Sequence, residues 1–296
     1  MGFDTNGVRF LLEAREHGAQ FSECAMLGRQ EMQLSKNQLG AVFKKLGVDA
    51  DISTTDRLMQ KNENSNFVYA EPFLRYCGAK TVTSIDYSEY EGASLVHDMN
   101  VEVPPELHNR FTCLIDGGAL EHIFNLPVAI LNCMKMIKLN GHFLSIAPCN
   151  NFMGHGFYQF SPELFWSVFS ERNGFIIEKM YIFESRPHAL WYLVADPKLV
   201  RTRVTLQNTK ETLLLIQAKK IADLDIKEIR SQQSDYMFAW QSATQTAAES
   251  NKHDNALTKI KSLLPETLKL FMIGALNDAK KTFSSRFPEP FYKKYK

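Results

Sequence analysis

The chain lacks the features that mark secreted and membrane-spanning proteins. Its first residues, Met1 to Asp4, have neither the basic nor the apolar region of a signal peptide. No uninterrupted apolar stretch approaches the length needed to cross a bilayer. The five cysteines are odd in number and show no Cys-x-x-Cys spacing, which favours buried free thiols over a disulfide framework. These absences predict a cytoplasmic protein with no membrane span.

An excess of charge of either sign is also absent. Lys+Arg 34 against Asp+Glu 33 gives a formal net charge of +1. Because nucleic-acid-binding proteins usually carry a clustered basic face, this balance predicts no nucleic-acid partner. A hydrophobic content of 45% is ordinary for a globular protein, and 296 residues are enough for one large α/β domain with a helical appendage.

Motifs of nucleophilic and metal-dependent catalysis are missing as well. There is no Gly-x-Ser-x-Gly segment, no pair of histidines four residues apart and no cysteine cluster. Glu121 with His122, or His155 with Asp98, could be drawn as metal ligands. Without a paired spacing, however, the sequence predicts no metal site.

Three short apolar runs each end in an aspartate, at Asp86, Asp98 and Asp116. Such runs of β-branched and aliphatic residues are typical of buried strands in a parallel sheet. In open α/β sheets the ligand binds outside the carboxyl ends of the strands. Three carboxylates there can accept hydrogen bonds from ribose hydroxyls and an adenine amino group, which predicts a nucleotide-type cofactor. The alternative is that these aspartates cap helices or brace turns.

Strand and helix patterns alternate over the first two thirds of the chain. Strands are expected at 21–27, before each of the three aspartates, and at 141–147, 175–183 and 191–195. Helices are expected at 7–18, 69–76, 126–137 and from residue 161. This alternation predicts an α/β fold with a Rossmann-like, doubly wound and mostly parallel sheet.

The composition changes beyond Pro197. We therefore expect one Rossmann-like domain over 1–200, with a helical insertion at 31–64, and a helical C-terminal extension and tail over 201–296. Apolar residues at helical spacing over 210–230 and 257–283 support the extension, which either covers the sheet or pairs two copies of the chain in a homo-oligomer. The prolines of the last ten residues predict an extended tail.

Three segments resemble the class I S-adenosylmethionine-dependent methyltransferases. They are Ser84-Ile85-Asp86-Tyr87, the stretch from Leu114 to His122, and the stretch from Gly141 to Pro148, which follows a turn similar to the family's Leu-x-x-Gly-Gly. The likeness covers roughly residues 20–197. The segment from Asn150 to Pro162 is similar to a bacterial subgroup often linked to surface-sugar biosynthesis. The resemblance implies a methyltransferase that uses S-adenosylmethionine and acts on a small or sugar-like hydroxyl or amine.

The resemblance also assigns cofactor-binding residues by position. Asp86 matches the acidic residue that holds the ribose hydroxyls, and Tyr87 would pack on the adenine. Asp98 matches the residue that accepts from the adenine amino group. Asp116 and Gly117 match the segment beneath the methionine portion of the cofactor.

The first glycine loop departs from the family pattern. Where the family has Gly-x-Gly-x-Gly, this chain has Leu27-Gly28-Arg29-Gln30-Glu31, so that Gly28 is the only glycine. Either Arg29 or Gln30 binds the cofactor's carboxylate instead, or the site is degenerate. The second reading makes the chain a non-catalytic binding or scaffold protein. An NAD-dependent oxidoreductase is a third reading, less favoured because its Gly-x-Gly-x-x-Gly loop is also missing.

Residues for the methyl acceptor are expected in the loop after the 141–147 strand. His155 lies between two glycines and is a candidate base or substrate holder, because transfer to a hydroxyl needs a base. Tyr158 and Asn151 could complete a polar pocket around a sugar-like acceptor. The alternative is that His155 is a loop histidine bonded to the backbone, and we expect His122 to order its own turn.

Overall fold

A computed structural model describes residues 2–61, 67–226, 228–229, 231–238, 240 and 287–295. The chain divides into two compact units. The larger consists of Met1–Val194, Thr209–Ser231 and Lys294–Lys296, and the smaller of Ala195–Asn208 and Gln232–Lys293. The predicted boundary at residue 200 stays a prediction, as does pairing through C-terminal helices. The helix expected at 257–283 lies outside the described residues.

The strands and helices have the following bounds. The strands are β1 (Gly2–Phe3), β2 (Glu23–Leu27), β3 (Glu31–Met32), β4 (Thr81–Asp86), β5 (Leu95–Val96), β6 (Phe111–Asp116), β7 (Ile137–Asn150), β8 (Phe175–Glu184), β9 (Tyr192–Val194), β10 (Thr212–Lys220) and β11 (Tyr292–Lys294). The helices are α1 (Thr5–Glu16), α2 (Lys36–Lys45), α3 (Ile52–Leu58), α4 (Glu71–Tyr76), α5 (Leu126–Met136), α6 (Pro162–Val168) and α7 (Pro197–Val200).

The main sheet of the larger unit has the strand order β5-β4-β2-β6-β7-β10-β8-β9. The strands from β5 to β7 are parallel, whereas β10 is antiparallel to both β7 and β8. After β2, the chain adds β4 and β5 on one side of it and then β6 and β7 on the other. The strand order therefore reverses between β2 and β6. This arrangement confirms the predicted mostly parallel, doubly wound α/β fold.

The sequence reasoning was wrong about the segment after residue 210. Helical spacing was expected over 210–230, but Thr212–Lys220 form β10 in the middle of the sheet. Leu214, Leu215, Ile216 and Ala218 are all completely buried there. Because a strand buried on both faces has a continuous apolar run, its periodicity cannot be told from that of a buried helix. The tail also forms a strand, β11, in which Tyr292 is buried.

The elements around the sheet follow from local sequence signals. The Asp4 carboxylate caps α1 by accepting from the backbone N–H groups of Asn6 and Gly7, each at 2.8 Å. Ser35 and Gln38 form a capping box at the start of α2. That helix and α3 lie within the predicted 31–64 insertion.

All five cysteines are free, as predicted. Cys24, Cys77, Cys113 and Cys133 are buried, and Cys149 is half-buried. Within the described parts of the chain, no helix combines the length and the apolar character needed to cross a membrane.

Candidate functional site

The carboxyl ends of the parallel strands surround a cavity of about 220 Å³, which we call the strand-end cavity. Its walls come from the ends of β2 and β4, the segment after β5 and the turn after β6. The lining residues are Leu27, Gly28, Ile85, Asp86, Tyr87, His97, Asp98, Met99, Asn100, Ala119, His122 and Ile123. The cavity is smaller than the roughly 300–1,000 Å³ typical of small-molecule sites.

Four of the predicted cofactor residues meet at this cavity. Gly28 follows β2 with a φ of +67°, a conformation that glycine adopts without strain. Its N–H donates to the Ile85 carbonyl at 2.7 Å, which ties the end of β2 to β4. Asp86 ends β4 and is half-buried, and Tyr87 follows it with 73% of its surface exposed. Asp98 is the fourth.

Asp98 serves as a turn brace and also forms part of the cavity wall. Its Oδ1 accepts from the backbone N–H of Asn100 at 2.9 Å and from the Asn100 side-chain amide at 2.8 Å. These bonds lower the pKa of Asp98, so the carboxylate stays ionised at neutral pH. The bonds also fix the position of the carboxylate at the cavity wall.

Asp116 is directed into its own loop rather than into the cavity. It is completely buried and accepts from the Ala119 N–H at 2.9 Å, the Leu120 N–H at 3.3 Å and the Ser145 hydroxyl at 2.7 Å. Burial raises the pKa of Asp116, and these hydrogen bonds oppose the rise. The structure thus gives Asp116 the bracing role that was the alternative to ligand binding.

Two side chains fill the space over Gly117. A Cβ atom on Gly117 would lie 2.5 Å from Gln30 Oε1 and 3.0 Å from Phe3 Cε1. Both Gln30 and Phe3 are completely buried. The Gln30 amide nitrogen donates to the Leu27 carbonyl at 2.6 Å, whereas no described residue donates a hydrogen bond to its Oε1.

Arg29 is occupied elsewhere. Its guanidinium pairs with Glu71 at 2.7 Å, donates to the Glu91 carbonyl at 3.0 Å and lies over the Tyr69 ring at 3.8 Å. Of the two residues that were expected to bind the cofactor's carboxylate, Arg29 is thus paired with Glu71, and Gln30 lies over Gly117.

These residues fit one half of S-adenosylmethionine. The strand-end cavity offers two carboxylates and a glycine to a nucleoside. The position that the family resemblance gives to the methionine portion, over Gly117, is filled by Gln30 and Phe3. Binding of the whole cofactor, including its methionine portion, therefore requires that these two side chains move.

The loop after β7 is held against the turn that follows β6. The backbone N–H of Phe157 donates to the Glu121 carbonyl at 2.8 Å, and the Tyr158 hydroxyl donates to the Phe124 carbonyl at 2.7 Å. His155 Nε2 lies 3.5 Å from Glu121 Oε1, and His122 Nε2 lies 4.0 Å from the same oxygen. The structure thus brings the predicted acceptor residues His155 and Tyr158 next to the cavity wall at His122.

The third residue expected around the acceptor, Asn151, donates from its side-chain amide to the Lys210 carbonyl at 2.8 Å.

Glu121 is the residue of this region that the sequence reasoning did not select as a functional residue. Its side chain is 1% exposed, and its Oε2 has no hydrogen-bond partner among the described residues. Burial, followed by the like charge of Asp116, raises the pKa of Glu121 to about 8. Burial also lowers the pKa of His122, and the neighbouring His155 lowers it further.

Comparisons with known proteins give matches among solved structures only. No family model matches the chain, and no curated protein matches it. The structure of YcgJ from Bacillus subtilis is 10% identical, covers 73% of this chain and 99% of its own, and has a TM-score of 0.38. The branched-chain polyamine synthase of Thermus thermophilus, bound to N4-aminopropylspermidine and 5'-methylthioadenosine, is 13% identical. The match covers 78% of this chain and 60% of the synthase, with a TM-score of 0.39.

An S-adenosylmethionine-dependent methyltransferase from Mesorhizobium loti is 14% identical. It covers 50% of this chain and 83% of its own, with a TM-score of 0.31. At these sequence identities the similarities concern the fold alone.

Proposed function

We propose that this chain is an S-adenosylmethionine-dependent methyltransferase whose acceptor is a small or sugar-like hydroxyl or amine. The observation that carries the proposal is the meeting of Gly28, Asp86 and Asp98 at one cavity outside the carboxyl ends of parallel strands. Ligands of open α/β sheets bind at such a place, beside the point where the strand order reverses.

The two carboxylates would hold the nucleoside end of the cofactor. Asp86, at the end of β4, would accept hydrogen bonds from the ribose hydroxyls, and Tyr87 would cover the adenine. Asp98 would accept from the adenine amino group, because its hydrogen bonds with Asn100 keep it ionised and fixed. Gly117 and the unpaired Oε1 of Gln30 would face the methionine end once Gln30 and Phe3 had moved.

His155 and Tyr158 would receive the acceptor. His155 is half exposed in the loop after β7 and would hold an acceptor hydroxyl or take its proton. Tyr158 would shape the pocket with its ring, since its hydroxyl is bonded to Phe124. The bound cofactor supplies an electrophilic methyl group, and the protein aligns the acceptor behind it.

A non-catalytic nucleoside-binding protein is the second candidate function. It is favoured by the buried side chains of Gln30 and Phe3 over Gly117, which leave a cavity that accommodates a nucleoside more readily than the whole cofactor. In that case adenosine and S-adenosylmethionine would bind with the same affinity, because the methionine portion would make no contact.

Calorimetry on the full chain with S-adenosylmethionine, S-adenosylhomocysteine, adenosine and NAD tests these readings together. We expect the first two to bind more tightly than adenosine, and NAD to bind weakly. A hydrogen bond to a charged group contributes about 1.5–3 kcal/mol, so Asp86→Ala should weaken cofactor binding roughly ten- to a hundredfold. Asp56→Ala is the control, because Asp56 is an exposed residue paired with Lys36.

Unchanged affinity in Asp86→Ala would remove Asp86 from the site. Binding of NAD alone would overturn the proposal in favour of an oxidoreductase.

A further inference from the structure

We propose that Glu121, His122 and His155 form a binding site for a divalent transition-metal ion, which we call the Glu-His-His site. The proposal goes beyond cofactor binding, because two of its three ligands, Glu121 and His155, do not line the strand-end cavity. Within the described residues, one oxygen or nitrogen from each of the three side chains lies within 4.8 Å of those of the other two.

The spacing of the ligand atoms suits one cation. A tetrahedral centre with bonds of about 2.0–2.1 Å to nitrogen and oxygen places its ligand atoms about 3.4 Å apart. Glu121 Oε1 lies 3.5 Å from His155 Nε2 and 4.0 Å from His122 Nε2. The two imidazole rings are 5.2 Å apart between centroids. Closing the site therefore needs small rotations of half-exposed imidazole rings and no change in the buried carboxylate.

A second and independent observation is the unpaired Oε2 atom of Glu121. The Glu121 side chain is 1% exposed, and its Oε2 accepts no hydrogen bond from any residue that the structure describes. Burying a carboxylate without a partner is costly unless a counter-charge or a metal ion is present. Asp116, whose charge has the same sign, raises the pKa of Glu121 further, and the chain's amino terminus opposes this rise. A divalent cation would supply positive charge directly at the carboxylate.

Two glycines allow the site to form. Gly118 has a φ of +91°, and a Cβ there would lie 3.2 Å from Glu121 Oε1. A Cβ on Gly156 would lie 2.8 Å from the Glu121 carbonyl oxygen. A side chain at position 156 would push the His155 loop away from the turn that carries Glu121, and one at position 118 would crowd the Glu121 carboxylate. The close approach of the loop to the turn therefore requires glycine at position 156.

The ligand set indicates the class of metal. Two imidazoles and one carboxylate suit Zn²⁺, Fe²⁺ and similar first-row ions, whereas Mg²⁺ and Ca²⁺ prefer oxygen ligands. His122 and His155 are 42% and 48% exposed, so the remaining coordination positions face solvent. With a metal bound, His155 would be a ligand and could no longer act as a free base, and this consequence alone rests on the proposed function.

Metal binding to the full chain tests the proposal. After treatment with a chelator, the protein is titrated with Zn²⁺ by calorimetry and with Co²⁺ by visible absorption. We expect one equivalent of each ion to bind, with Zn²⁺ displacing Co²⁺. Loss of an outer partner of a metal ligand typically costs 10- to 100-fold in affinity, so loss of a ligand itself, in Glu121→Gln or His155→Ala, should weaken binding by about a hundredfold or more.

The matched control is His17→Ala, which removes an exposed histidine after α1 and should leave the affinity unchanged. Glu121→Gln keeps the size of the buried side chain, and circular dichroism would verify that each variant is folded. Absence of a stoichiometric Zn²⁺ site, or equal affinity in the wild type and both ligand variants, would overturn the proposal. Calorimetry with S-adenosylhomocysteine on Glu121→Gln keeps the two proposals apart, because Glu121 does not line the strand-end cavity.

Discussion

Gln30 combines complete burial with an amide oxygen that has no hydrogen-bond donor in the part of the chain that the structure describes. Leaving a buried acceptor unpaired typically costs about 1–3 kcal/mol. The side chain is held there by one bond, from its Nε2 to the Leu27 carbonyl. This side chain occupies the space that a long ligand would need over Gly117.

Replacing Gln30 by alanine should separate the two candidate functions. If Gln30 only fills the space, Gln30→Ala should tighten S-adenosylmethionine binding about tenfold, equivalent to about 1.4 kcal/mol. Adenosine has no methionine portion, and its affinity should not change. The measurement is calorimetry with both ligands on both proteins. A fall in S-adenosylmethionine affinity alone would contradict this and would show that the amide holds the methionine end.

Asp116 was expected to bind the cofactor, but its hydrogen bonds brace the turn after β6. Asparagine could keep all of them, because its oxygen can accept from the two backbone N–H groups and its NH₂ can donate to Ser145. Alanine can keep none. The pair Asp116→Asn and Asp116→Ala therefore tests a bracing role.

We expect Asp116→Ala to lower the free energy of unfolding by about 3 kcal/mol, because it leaves buried donors unpaired. Asp116→Asn should lower it by less than about 1 kcal/mol. Urea denaturation of the full chain measures both values. Equal stability of the two variants would contradict the bracing role.

Among the elements, the parallel strands could be predicted from sequence and β10 could not. Phe111–Asp116 is a short apolar run that ends in a turn, and its carboxyl end was located correctly. The sequence therefore predicts that Asp86 and Asp98 lie at one edge of the sheet, and both line the strand-end cavity. The site around Glu121 was not found in this way, since it depends on a tertiary contact between residues 121 and 155 that no local spacing encodes.

Three neighbouring strands, β7, β10 and β8, share a polar cluster. The His142 Nε2 lies 3.2 Å from Glu178 Oε2, which also accepts from the Gln217 side-chain amide at 2.8 Å. His142 is 2% exposed. Burial lowers the pKa of His142 below its ordinary value of 6.5, although Glu178 opposes this and Lys219 reinforces it.

This cluster should make the sheet less stable in acid. Because the unfolded chain binds a proton on His142 at a higher pH than the folded chain does, the stability present above about pH 6.5 should be lost as the pH falls through the folded-state pKa. His142→Gln cannot take up this proton. Urea denaturation at several pH values should therefore show a smaller acid loss in the variant. An identical loss in both proteins would contradict the assignment to His142.

At the scale of the whole molecule, both candidate sites belong to the larger unit. The strand-end cavity and the Glu-His-His site are formed by segments between Leu27 and His155, all within Met1–Val194. Residue His122 contributes to both. A substitution of His122 should therefore affect nucleoside and metal binding together, and the other variants proposed above are better suited to separate them.

Alkylation of the cysteines can report local opening of the native structure. Alkylating reagents attack the thiolate, and burial raises the pKa of Cys77 and of Cys149 to about 12 and that of Cys113 and Cys133 well above the ordinary value. Labelling at neutral pH should thus follow opening of the structure, read by mass spectrometry without added probes.

The order of labelling should follow depth in the sheet. Half-buried Cys149, near the end of β7, should react before Cys113, in the central strand β6. Equal rates would mean that the sheet opens as one cooperative unit. If the other cysteines are labelled at intermediate rates, the larger unit contains segments that open at different free energies. Each such segment would be identified by the native cysteine within it.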